Sequence, residues 1–214
     1  VAMMIELCRK HRCKTHIVHV ASAAALVMID AAKLSGLPIT AETCPHYLFF
    51  NAEEIPDANT LYKCAPPIRD KKNNDLLKQA YQGGIFDLIA SDHSPAPPDI
   101  KELKSGNFQK AWGGIAGLQF LLSASWTSLK DQLSPEEFIP YLTRRPAAFL
   151  GLDNKGVIAA GKDADLVIWQ PEESFMVEEK DILHKHKPSP YTGKILQGKI
   201  LTTIVNGNIV YQNN

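Results

Sequence analysis

The stretch Phe86-Asp87-Leu88-Ile89-Ala90-Ser91-Asp92-His93-Ser94-Pro95 decides how the chain is read. An apolar run, Phe86, Leu88, Ile89 and Ala90, leads to Asp92 and His93 and then into a proline-rich turn. A strand buried on both faces that carries a polar group out of the core at its end has this pattern. In a barrel of alternating strands and helices, chemistry collects at the C-terminal strand ends. Asp is equally at home in turns, where its carboxylate bonds local backbone. Asp92 alone is therefore a turn former or a reactive carboxylate, and the rest of the chain has to supply its partners.

Upstream, Thr15 to Ser22 (THIVHVAS) is a β-rich run carrying His16 and His19. Ser22 is placed to cap an apolar helix, Ala23 to Ser35, that stops at Gly36. A second strand follows in LPITAETCPHYLFF and delivers Cys44, Pro45 and His46 to its end. TLYKCAPPIR reads as a shorter strand closed by Pro66-Pro67, and Asn74 to Gln82 as a helix closed by Gly83 and Gly84. Such alternation predicts parallel strands joined by right-handed crossovers, an α/β fold.

Downstream, Ile115, Leu118, Leu122, Trp126 and Leu129 fall at helical spacing and predict a packed face. Ser134 with Glu137 spells a capping box, with Pro135 at the first helical position. Pro140 interrupts that helix, and RRPAAFLGL makes a last short one near Gly151. From Lys155 the chain turns β-rich and ends in two runs joined by Asn206-Gly207, a strong hairpin signal. The organisation expected is an α/β part over 1–154 and a small β-rich subdomain over 155–214.

Composition narrows the partners. The 23 Lys+Arg balance 23 Asp+Glu, with no run of like charges, which speaks against a nucleic-acid or anionic-membrane partner. No apolar run reaches membrane-span length, and no secretory signal opens the chain. The four cysteines, Cys8, Cys13, Cys44 and Cys64, form no CxxC and are expected to be free thiols of a cytoplasmic protein. The opening, VAMMIELCRKHR, reads as a helix already under way, with Met3, Met4, Leu7 and Cys8 on its apolar side. With no cap and no initiator Met, the chain is expected to be a piece of something longer.

His19, His46 and Asp92 thus stand at three expected strand ends. Imidazole and carboxylate together suit a borderline divalent metal such as zinc. The sequence gaps are too long for a local metal loop, so either the strand ends converge or the histidines are structural. His16, three residues from His19 on a strand, points to the opposite face and is read as structural.

HVAS, AETCPHYL, KCAPPIRD, SDHSPAPPDIK, AWGGIAGLQ and GKDADLVIWQPE together resemble the C-terminal half of the cyclic-amide amidohydrolases. The allantoinase branch is most similar, with dihydroorotases and hydantoinases as near relatives. The resemblance implies the C-terminal half of a TIM-type (β/α)8 barrel, strands five to eight, followed by a small β-rich subdomain. It implies two zinc ions per active site in the full-length enzyme, other divalent metals being possible. His19 would end strand five and His46 strand six, both on the second zinc. Asp92 would end strand eight, bind the first zinc and shuttle the proton, while metal-activated water attacks the ring carbonyl.

His93 would brace the loop beside this centre, and Cys44 would be a buried neighbour of His46. Backbone at Ala65 and Gly114 would hold the ring amide, although Gly113-Gly114 is equally a tight turn before a helix. Ala65, where dihydroorotases usually carry Asn, and Trp112-Gly113-Gly114-Ile115 favour allantoin as substrate, opened to allantoate. A dihydroorotase or hydantoinase is the alternative. A non-catalytic scaffold is the rival of another class, opposed by retention of His19, His46 and Asp92. The resemblance further implies a cytoplasmic homo-oligomer, a tetramer, acting on a small molecule. The family's strand-one HxH pair and strand-four lysine have no counterpart ahead of His19, so the isolated chain is expected to be inactive.

Overall fold

The computed structural model describes residues 1–213. Its first part alternates helix and strand: α1 (Ala2–His11), β1 (Thr15–Ile17), α2 (Leu26–Leu34), β2 (Ile39–Thr43), α3 (Pro45–Phe49), α4 (Lys71–Gln82) and β3 (Leu88–Ile89). The strands pair in parallel in the order β1-β2-β3. Lys33, in the last turn of α2, donates to Asp87 Oδ2 at 2.5 Å and to the Ile85 carbonyl at 2.7 Å. Asp87 Oδ2 also accepts from the Ala41 amide at 2.7 Å, so one carboxylate joins the entry of β3 to the middle of β2.

Four expectations change here. TLYKCAPPIR forms no strand; Thr60–Tyr62 is a single 3-10 turn, and β2 pairs directly with β3. The parallel part therefore pairs three strands. The Pro66-Pro67 pair lacks the amides a central strand needs, and the Ala65–Pro66 peptide is cis. Ser22 makes no side-chain cap; the Ala23 amide donates instead to Asn73 Oδ1 at 2.7 Å, a partner 50 residues away. On α1 the buried residues are Ile5 and Cys8, whereas Met3, Met4 and Leu7 are exposed. The helix expected from Ile115 opens as a 3-10 turn at Leu118–Phe120, and Leu118 is 59 % exposed.

The rest follows its local signals. α5 (Leu121–Leu129) buries Trp126 and Leu129. α6 (Pro135–Phe138) carries the full Ser134–Glu137 capping box and gives way to a 3-10 turn over Ile139–Tyr141, around Pro140. α7 (Arg144–Leu150) ends at Gly151 with φ 69°. β4 (Leu166–Met176), β5 (Ile195–Val205) and β6 (Asn208–Gln212) form an antiparallel sheet. Its last hairpin turns on Asn206 (φ 49°) and Gly207 (φ 77°), the paired positive φ that a two-residue turn needs to match strand twist.

The two sheets share no strand, yet one apolar cluster joins the parts. Trp126 of α5 packs edge-on against Trp169 of β4 at 5.5 Å and donates its indole N–H to the Pro171 carbonyl at 2.9 Å. Tyr191, fully buried ahead of β5, sits against Phe49, Phe50 and Phe120 with ring centroids 4.9–5.8 Å away. All four cysteines are free.

Candidate metal centre

The site is built at the C-terminal ends of β1, β2 and β3. His19 and Asp92 lie just past β1 and β3 with φ 39° and 43°. Left-handed backbone is uncommon for residues other than glycine, though His and Asp are among those that adopt it, and such strain gathers at functional sites. The turn at His19 is fixed on its far side: the Val20 amide donates to the Glu42 carbonyl at 2.9 Å, and Thr43 Oγ1 donates to the Val20 carbonyl at 2.7 Å.

His46 is placed differently from expectation. Pro45, with its φ preset for the first helical position, starts α3 directly after Cys44, so His46 lies in a helix and not at a strand end. Asn74 secures this helix from α4: its Nδ2 lies 2.8, 2.7 and 3.2 Å from the carbonyls of Tyr47, Leu48 and Phe50. Asn73, its neighbour, takes the Ala23 amide on Oδ1 and donates Nδ2 to the Ala21 carbonyl at 2.9 Å, which holds the chain beyond His19.

Among the described residues, one group of three or more metal-binding side chains converges: Cys44, His46 and Asp92, each offering a ligand atom within 4.8 Å of the others. Cys44 and His46 are buried and Asp92 is exposed at the rim. The structure thus brings His46 and Asp92 together, and His19 is not part of that group. His19 is nonetheless close enough to act on His46. Burial first, and the His19 imidazole second, push the His46 ring down to about 3. Neither His46 nitrogen has a hydrogen-bond partner, and the residue is 1 % exposed. A buried imidazole with both nitrogens orphaned is costly unless something else binds it, and a neutral imidazole is the form a metal takes. The donor set therefore fits a divalent metal.

The Cys44 thiol is pushed well up by burial, then by Asp92 and Glu42, so it is a poor nucleophile in this setting. His16 is the structural residue expected: its ring nitrogens meet Thr40 Oγ1 at 2.7 Å and Glu42 Oε2 at 3.0 Å. His93 braces the loop, its Nδ1 accepting from the Leu118 amide at 3.2 Å.

Ala65 and the Gly113-Gly114 pair lie side by side, a Cβ on Gly113 being 3.6 Å from that of Ala65. A Cβ on Gly114 would stand 2.4 Å from Ser94 Oγ, so that position must be glycine for packing. Its N–H is given to the Lys63 carbonyl at 2.9 Å. Lys101, which sequence reasoning passed over, lies beneath them at 6 % exposure and donates to the same Lys63 carbonyl at 3.0 Å. His184 was also missed: its ring nitrogens are buried and unpartnered, 6.0 Å from the His93 ring between centroids. The one signal for it is the His184-Lys185-His186 spelling, far from any expected strand end.

Comparison with known proteins follows the same line. The model of the amidohydrolase family matches residues 2–210. A probable allantoinase of Oryza sativa subsp. japonica and the allantoinase of Arabidopsis thaliana are each 46 % identical over 200 residues, 92 % of this chain and 39 % and 40 % of theirs. Among solved structures, an L-hydantoinase (dihydropyrimidinase) from Arthrobacter aurescens superposes with a TM-score of 0.89 at 28 % identity, covering 97 % of this chain and 47 % of that one. The chain spans less than half the length of the relatives it matches.

Proposed function

The chain belongs to the amidohydrolase family, and on that premise we propose that it serves a metal-dependent hydrolase that opens a cyclic amide, converting allantoin to allantoate. The observation that carries this reading is the meeting of Asp92 with the orphaned, buried His46 at one end of a parallel sheet. Members of the family are generally metal-dependent. We assign the metal to His19, His46 and Asp92, with zinc, two ions per active site in the whole enzyme, as the resident metal. The backbone strain at His19 and Asp92 and the bare nitrogens of His46 support these three independently.

When bound, the metal supplies acidity to a water molecule. Asp92, exposed at the end of β3, holds the proton on a carboxylate oxygen and returns it to the ring nitrogen as the C–N bond opens. Backbone at Ala65 and Gly114 orients the ring, and with the Gly114 amide engaged, its carbonyl is the group left to accept from a ring N–H. The buried α3 and the Tyr191 cluster keep water off the inner side of the site.

We infer further that residues 1–154, with β1, β2 and β3, are the C-terminal half of a (β/α)8 barrel, strands five to eight, and that 155–214 is its β-rich companion. The parallel pairing in chain order and the likeness to the hydantoinase support this. A soluble cytoplasmic tetramer acting on a small molecule completes the reading; among the described residues no helix is long and apolar enough to cross a membrane. Hydantoin hydrolysis is the second reading, favoured by the 28 % identical L-hydantoinase structure. Allantoate release by the whole protein, compared with opening of hydantoin and dihydroorotate, decides between them. Loss of turnover on chelation and its return with zinc is expected; robust dihydroorotate turnover with no allantoin turnover would overturn the substrate.

A further inference from the structure

Lys101 is 6 % exposed, and its ammonium is held by carbonyls rather than by a carboxylate. Its Nζ donates to the Lys63 carbonyl at 3.0 Å and reaches those of Thr60 and Leu61 at 3.4 Å each. All three carbonyls lie in the segment that runs into Ala65. The Lys63 carbonyl also accepts from the Gly114 amide at 2.9 Å. A carbonyl oxygen offers two lone pairs. The one two residues before Ala65 therefore has both occupied, one by Lys101 and one by Gly114. The same two loops touch twice more: Lys63 Nζ donates to the Gln109 carbonyl at 3.2 Å, and a Cβ on Gly106 would stand 2.4 Å from that of Ala58.

A buried ammonium without a counter-charge costs stability relative to an apolar side chain of similar volume. Charge-assisted hydrogen bonds are short and directional, so what the charge contributes here is a fixed distance between the two loops. We propose that Lys101 is a positioning residue for the cyclic amide: through the Lys63 carbonyl it sets the separation of Ala65 and Gly114, without touching the ring. The proposal rests on the reading that backbone at Ala65 and Gly114 orients the substrate. The ring contacts it governs are made before and during the opening of the C–N bond alike. Their loss therefore weakens substrate binding and leaves the metal-side chemistry at the strand ends unchanged.

The test is steady-state kinetics of the whole enzyme, wild type against Lys101→Met, with circular dichroism and metal content confirming a folded, loaded variant. KM should rise by about tenfold while kcat changes by less than about threefold. A purely structural role gives the opposite split, because partial unfolding removes active enzyme and lowers kcat at constant KM. An unchanged KM in the folded variant overturns the proposal. Should Lys101→Met fail to fold, Lys101→Gln, which keeps an N–H donor on a shorter, uncharged stem, is read in the same way. A KM rise of about threefold is then expected, and an unchanged KM overturns the proposal. The wild type separates this from the substrate reading. If it opens hydantoin or dihydroorotate and not allantoin, the allantoin reading falls alone, and the split is measured on the ring that is opened. A wild type that opens none of the three overturns both.

Discussion

Asn73 and Asn74 are consecutive on α4 yet fasten two different strand exits: Asn73 grips the chain at Ala21 and Ala23 beyond β1, and Asn74 gathers the carbonyls that end α3 beyond β2. The positions of His19 and His46 relative to one another are thus set from a single helix turn.

Replacing Asn74, which is 3 % exposed, by Ala strips partners from buried carbonyls at the end of α3. A loss of about 1–3 kcal/mol is expected. Asn73→Ala, at a half-buried position, should cost about 0.5–1.5 kcal/mol. Denaturant unfolding of both variants checks this; equal costs would mean that burial does not separate the two amides.

Asp92→Asn keeps the size of the side chain, and Asn also tolerates the φ of 43° found there. The loss should therefore be chemical. Turnover by the whole enzyme is expected to fall by about 100-fold or more, with metal content reduced. Retained turnover would remove Asp92 from proton transfer.

Lys101 gives a pH signature of its own. Burial pushes its amine down to about 8, against the opposing pull of the Cys64 thiol and with help from Lys63. An unfolded lysine titrates near 10.4, so between about 8 and 10.4 the unfolded chain holds more protons than the folded one. Stability contributed by this group then rises with pH through that window. Relative to Lys101→Met, the wild type should gain stability from about pH 8 to 10, by less than about 1.4 kcal/mol per unit. A difference that stays flat would place the ammonium in solvent.

Gly198 in β5 has φ 90°, and a Cβ there would meet the Trp169 ring at 2.9 Å and the Trp126 ring at 3.0 Å. Gly198→Ala combines backbone strain with overpacking, and a cost of about 1–3 kcal/mol is expected in thermal or denaturant unfolding. A neutral result would show that the indole pair can part.

The sequence was legible where signals were local. The Ser134–Glu137 capping box and the Asn206-Gly207 turn formed as their residues imply. The helix expected from Asn74 closes at Gly83 but starts three residues earlier, at Lys71, where Asp70 caps it. The strand ending at Asp92 also formed, though only Leu88–Ile89 pair. Reading failed where a distant partner or a neighbouring proline decided. Pro45 turned an apparent strand end into α3, and the prolines after Ala65 replaced a strand with a loop. Asn73 took the capping role expected of Ser22 from across the fold. The burial of Lys101, a charged residue in a polar loop, had no periodic signal to announce it.

Tyr191 has a consequence for anyone recombining these proteins. Its ring is enclosed by Phe49 and Phe50 from one part of the chain and Phe120 from another. A tail grafted from a relative must therefore arrive with a matching socket, and a chimera joined at residue 155 inherits a mismatch some forty residues further on, beside the helix that carries His46.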